Sequence, residues 1–150
     1  SDVYKRQGMI GQSIVDAIGS DLEGAFGSLP GAISKGSAKF GELAADKGVD
    51  GSSPFVPESY DAAAIIALAI QAGGSADKQS ILKNIRKVSN APGIIINPGQ
   101  ISYGLQMLAD GKDIDYQGAT DVEFNAIGDA DGAFKEVEVR GGSFVVVGAL

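Results

Sequence analysis

Residues 62–70 (AAAIIALAI) are apolar without a break, and they lie inside a longer helical stretch over residues 57–72. Pro57 suits the first position of that helix, where its missing N–H costs nothing. A helix that is apolar nearly all round must be covered on most of its circumference, so it is expected to be central rather than a surface helix. It is too short to cross a bilayer, which needs about 20 apolar residues. The remaining sequence therefore has to supply layers that pack around it.

Those layers alternate between helical and strand-like pieces. Ile14, Val15 and Ile18 mark a short amphipathic helix closed by Gly19, and residues 22–29 (LEGAFGSL) read as a strand broken by Pro30-Gly31. Phe40, Leu43 and Ala44 have the i, i+3, i+4 spacing of a helix that Gly48 can cap. A Gly/Ser/Pro loop over residues 49–56 leads into the central helix. Ser75 can cap a further helix in which Ile81, Leu82, Ile85 and Val88 share a face, while Lys78, Lys83, Arg86 and Lys87 form a solvated face. Pro92 ends it. Residues 94–96 predict a short buried strand or packed loop, and Pro98 opens a helix through Ile101, Leu105 and Leu108 that stops at Gly111. The tail is strand-like over residues 122–124, 134–140 and 143–147, with Gly141-Gly142 as a two-residue hairpin turn. Helices interleaved with strands, then an antiparallel tail, give an α/β class.

Composition removes several functions. The net charge of −7 argues against nucleic acid as a partner, because phosphate-backbone binding draws on clustered Lys and Arg. With no cysteine there are no disulfides, no thiolate catalysis and no zinc clusters, and with no histidine the Ser-His-Asp and Cys-His machineries are impossible.

Three patterns suggest chemistry. Residues 31–37 (GAISKGS) have the glycine spacing of a phosphate loop, but Ser37 stands where the lysine should follow the second glycine. Glu58 and Asp61 would share a helix face as paired catalytic carboxylates do, although acids at a helix N-terminus are also explained by the macrodipole. Asp113, Asp115, Asp129 and Asp131 invite a calcium reading, yet no glutamate closes a twelve-residue EF-hand loop, and Asp/Gly turn chemistry accounts for the clusters.

Several blocks occur in a telling order: residues 19–27 (GSDLEGAFG) before Pro30-Gly31, residues 58–63 (ESYDAA) leading into the apolar helix, and residues 72–75 (AGGS). Residues 111–118 (GKDIDYQG) and 128–132 (GDADG) continue the series. This order is similar to the distal part of the periplasmic substrate-binding proteins of branched-chain amino acid (Leu/Ile/Val-type) ABC transporters, over essentially all residues after Gln7. The tail departs from the family pattern after Gly118-Ala-Thr, where the usual turn is shortened.

The resemblance implies a partial type I periplasmic binding protein fold, α/β, of two Rossmann-like lobes that are incomplete here, with antiparallel C-terminal strands. Residues 1–7 (SDVYKRQ) fit nothing that follows and are expected to be a non-native scar. By analogy residues 8–29 belong to the second lobe, 30–114 to the first and 115–150 again to the second. Such receptors close like a hinge on a small solute, and the closed form is recognised by the permease subunits of an ABC importer. No bond is made or broken and no cofactor or metal is implied, so the chain is expected to be a C-terminal fragment of a non-catalytic receptor. Its place would be the periplasm, or a lipid anchor on the outer face in a Gram-positive source.

The ligand-binding residues implied are Gly8 and Met9 at the cleft edge, and Phe55, which matches a position where an aromatic touches the ligand side chain. Simple packing at a helix start is an equal reading for Phe55. The family's ammonium-binding acid stands just before the glycine matched to Gly8, a place held here by Gln7. A regulator sensing amides or urea-like solutes on the same fold, and an enzyme resting on Glu58 and Asp61, are the alternatives.

Overall fold

A computed structural model describes residues 11–31, 33–130 and 133–149. Gly8 and Met9, like residues 1–7, lie outside them. The described residues build two sheets, each with its own hydrophobic core, and a third, smaller cluster of Phe40, Ala44 and Ala119.

The smaller body starts with α1 (Gln12–Ile18), which Gly19 closes at φ 72°. A single 3-10 turn follows (Gly19–Leu22), and β1 runs over Phe26–Pro30. The strand expected over residues 22–29 therefore begins later. Leu22 is drawn instead into a small core with Val15 and Val139, and Gly24, at φ 75°, turns the chain into the strand. β1 pairs antiparallel with β4 (Phe134–Arg140), from Phe26 opposite Glu138 to Pro30 opposite Phe134. β4 then pairs with β5 (Ser143–Ala149) across the expected hairpin. Gly141 and Gly142 both have positive φ, 59° and 77°, as the twist-matched two-residue turn demands. The sheet order is β1-β4-β5.

The larger body holds everything between. α2 (Lys35–Asp46) begins with a capping box in which Ser34 and Ser37 satisfy each other's backbone N–H. The glycine-spaced stretch 31–37 is thus spent on starting a helix. α3 (Val56–Gly73) carries Pro57 in its first turn and buries Asp61, Ala64, Ile65, Leu68 and Ala69. α4 (Lys78–Ser89) is capped by Asp77, whose carboxylate accepts from Ser80 N at 2.9 Å. Ser75, the expected cap, stands two residues earlier and donates its hydroxyl to Asp77. That bond, with the Ser80 N–H second, holds the Asp77 carboxyl below the usual range. Leu82 also departs from expectation: it is exposed, while Ile81, Ile85 and Val88 face the core.

β2 (Ile94–Ile96), α5 (Ile101–Ala109) and β3 (Ile114–Tyr116) form a strand–helix–strand unit with the strands parallel, Ile94 opposite Ile114 and Ile96 opposite Tyr116. Leu68, Ala69, Val88, Ile96, Ile114 and Tyr116 are wholly buried where α3, α4 and α5 cover one face of this pair. Among the described residues the strand expected at 122–124 is reduced to one bridge, Phe124 to Ala130. The Asn90 side chain takes both backbone groups of Phe124, accepting from its N at 3.2 Å and donating to its O at 2.8 Å, so a strand partner has nothing to bond there. Among the described residues no helix is long and apolar enough to cross a membrane.

Candidate functional site

In open α/β units ligands sit outside the carboxyl ends of the parallel strands. Here that edge carries Asn97 after β2 and Gln117 after β3. The N-terminus of α3 joins it, because Tyr60 Oη accepts from Gly99 N at 2.9 Å. Tyr60 is fixed in turn against Phe40 of α2, with ring centroids 5.0 Å apart.

Phe55 is the residue at the N-cap of α3, with φ 67°. A left-handed backbone is uncommon for a bulky residue, and such outliers gather where structure serves binding. The preceding loop is bonded within itself. Asp50 accepts from Ser52 N at 2.9 Å, Ser52 Oγ at 2.6 Å and Ser53 Oγ at 2.8 Å, and these bonds, the Ser52 hydroxyl first, lower the Asp50 carboxyl below its ordinary range. Ser59 returns two bonds to the Phe55 carbonyl, from its N at 3.0 Å and its hydroxyl at 2.7 Å. Phe55 is 52% exposed. Of the three ligand-binding residues that the resemblance implies, Gly8, Met9 and Phe55, only Phe55 falls among the described ones.

A cleft of about 600 Å³ opens between the first turn of α2 and the far face of β2 and β3, lined by Lys35, Ile95, Asn97, Asp115, Gln117 and Asp121 among others. Its volume is in the range of small-molecule sites. Phe55 does not line it. An apolar hollow of about 350 Å³, between Phe40, Leu43, Val49, Val56 and Tyr60, lies beside the same helix start.

The two carboxylates of α3 have different surroundings. Asp61 is 2% exposed, and its oxygens accept from Tyr116 Oη at 2.8 Å, Ala119 N at 2.9 and 3.0 Å, Thr120 N at 2.8 Å and Thr120 Oγ1 at 2.7 Å. A buried carboxylate so fully bonded has no lone pair left for proton transfer. Burial, and then the Asp61 charge, push the Tyr116 hydroxyl far above the ordinary tyrosine range. Glu58, one turn earlier, has a buried Oε2 with no hydrogen-bond partner among the described residues. The pair is therefore not a catalytic dyad. Sequence reasoning missed the Asp61 knot, although a signal existed: Asp61 falls in line with Ala64, Ile65 and Leu68, the buried stripe of α3. An acid in that stripe has to find donors.

Asp113 makes a 4.0 Å surface pair with Lys87, Asp115 lies buried in β3, and Asp129 belongs to a turn organised by Asn125. Asp131 is outside the described residues. Among the described residues no group of three or more acids is placed to hold a metal ion.

No protein-family model matches the sequence, and neither does any curated protein. Solved structures do. All of the chain superposes on a leucine-binding protein LivK from Thermotoga maritima with a TM-score of 0.71 at 20% identity, covering 37% of that chain. A structure described as a branched-chain amino acid ABC transporter from Rhodospirillum rubrum matches 97% of this chain with a TM-score of 0.59 at 16% identity, again over 37% of its length. At these identities the likeness is one of fold, and the chain carries part of the LivK-type periplasmic binding fold, spanning little more than a third of the proteins it matches.

Proposed function

We propose that this chain is the distal part of a solute receptor for an ABC importer, which holds a branched-chain amino acid or a similar small polar solute between two lobes that close on it. The observation that carries this reading is the match of the whole chain to the structure of a leucine-binding protein, with a TM-score of 0.71. In this reading residues 8–29 and 115–150 are pieces of the second lobe and 30–114 a piece of the first. The pairing of β1 with β4, across more than a hundred residues that build a separate core, supports two bodies crossed twice by the chain.

Phe55 supplies an apolar wall for the ligand side chain, and its left-handed backbone and exposure at the start of α3 support that role. In this reading Gly8 and Met9 are further ligand-binding residues, and the donors for the ligand carboxylate come from the preceding part of the receptor. The protein works in the periplasm, or anchored by lipid at an outer face, and its closed form is read by the permease. It performs no chemistry.

Two linked measurements test this. Genomic DNA upstream of the Gly8 codon is expected to encode an acid immediately before Gly8, a preceding lobe and a signal peptide. Calorimetric titration of that full gene product with leucine, isoleucine and valine is expected to give saturable binding. A product that binds no aliphatic amino acid, amide or urea-like solute overturns the proposal.

A further inference from the structure

We infer that residues 117–126, which lead towards the β1-β4-β5 sheet, belong mechanically to the α3–α4 body, and that Asp61 is the positioning residue that holds them there. The inference stands on hydrogen bonds and close backbone approaches, needs no ligand, and moves the boundary between the two bodies from residue 115, where the receptor reading puts it, to beyond residue 126.

The segment is fastened to that body along its length. Asp61 of α3 grips its start: the Tyr116 hydroxyl, the Ala119 N–H and both donors of Thr120 converge on one carboxylate from 55 to 59 residues away. Gln117 and Gly118 both donate to the carbonyl of Ile96 in β2, at 3.2 and 3.4 Å. Gly118 also has φ 61°, and a Cβ there would overlap the Asp61 carboxylate and approach the Tyr116 ring at 2.6 Å. On the α2 side, a Cβ on Gly36 would overlap the Gly118 carbonyl, so the loop is sandwiched between two helices with no room for even a methyl group. Farther on, Asn90 at the end of α4 bonds Phe124 through both backbone groups, and Arg86 of α4 donates to the Ala126 carbonyl at 2.8 Å. Anchors on α3, β2 and α4 fix the position of the segment in that body. Groups so tied open together, as one cooperative unit.

Residue-resolved amide hydrogen exchange on the full 150-residue chain tests this. Val139→Ala cuts into the core of the β1-β4-β5 body and is expected to speed exchange in β1 and β4 at least tenfold, while Ala119, Thr120 and Phe124 keep their wild-type rates. If those three amides speed up with β4, the segment belongs to the sheet and the inference fails. Asp61→Asn puts an amide group, itself a donor, against N–H groups that need an acceptor. It is expected to raise exchange at Ala119 and Thr120 at least tenfold while leaving β1 and β4 unchanged. Should that variant unfold, Thr120→Val, which deletes only the hydroxyl donor, is expected to give a smaller rise at the same two amides. Unaltered rates there, or in a folded Asp61→Asn, would remove Asp61 from its role.

Discussion

Gly36 and Gly41 sit in the same helix, and single substitutions at the two are expected to have opposite signs. Alanine in a helix interior is favoured over glycine by about 1 kcal/mol, so propensity alone predicts that both changes stabilise. Around Gly41 there is nothing within 4 Å of an added Cβ, and Gly41→Ala should raise stability by roughly 0.5–1 kcal/mol. At Gly36 the same methyl runs into the backbone carbonyl of Gly118, which cannot swing away as a flexible side chain would. Overpacking of this kind costs about 1–3 kcal/mol, more than the propensity gain, so Gly36→Ala should lower the urea midpoint while Gly41→Ala raises it. Equal shifts at both positions would show that α2 does not press on the 117–121 loop. Neither glycine could be told from the other in sequence, because the distinction is made by an atom 82 positions along the chain.

Local rules recovered most elements, and distance along the chain explains what escaped. Gly141-Gly142 was readable as a turn because two left-handed residues in a row are needed there and glycine meets that need at little cost. The first strand starts later than the run at residues 22–29 suggests because nothing local says that Leu22 is wanted by Val15 and Val139. Asp77 displaced Ser75 as the cap of α4 since only Asp77 stands three residues before Ser80, the reach of an N-cap side chain. The central character of α3 was plain from its apolar run, but the bond joining α3 to β3 was hidden, since Tyr116 Oη and Asp61 are 55 residues apart. That bond makes a pH prediction for the pair of elements. The folded Tyr116 hydroxyl titrates above its unfolded value of 10.0, so the unfolded chain loses this proton first. The tyrosine's contribution is therefore complete below pH about 10 and falls as pH rises beyond it, by up to about 1.4 kcal/mol per pH unit. Tyr116→Phe should lower stability at pH 7 by about 1.5–3 kcal/mol, the worth of a hydrogen bond to a charged group. It should also flatten the loss between pH 10 and about 12, measured by urea unfolding at each pH. An alkaline slope identical in the variant would mean that Tyr116 is not the group titrating.

At the scale of the molecule, both sheets present apolar surface to solvent. β2 and β3 are parallel, an arrangement found almost only with both faces covered, yet α3, α4 and α5 cover one face and Ile95 on the other is 50% exposed. β5 is an edge strand whose Val145, Val146 and Val147 are all exposed, with Val146 at 50%, and such a row of β-branched residues beside unpaired backbone groups is a template for another strand. In the longer proteins of like fold, nearly two thirds of the chain lies outside the part matched here. The 150-residue chain by itself is therefore expected to self-associate as its concentration rises, seen by sedimentation velocity as a growing share of material above the monomer mass. The edge and the open sheet face make separable contributions. Val146→Lys places a charge on the edge strand, the device natural sheets use against edge pairing, and should shift the distribution towards monomer. If it does, β5 is the dominant contact; if association persists unchanged while Ile95→Lys relieves it, the open face of β2 and β3 dominates. A chain that stays monomeric at every concentration without either substitution would mean that these exposed residues are too dispersed to act as a surface.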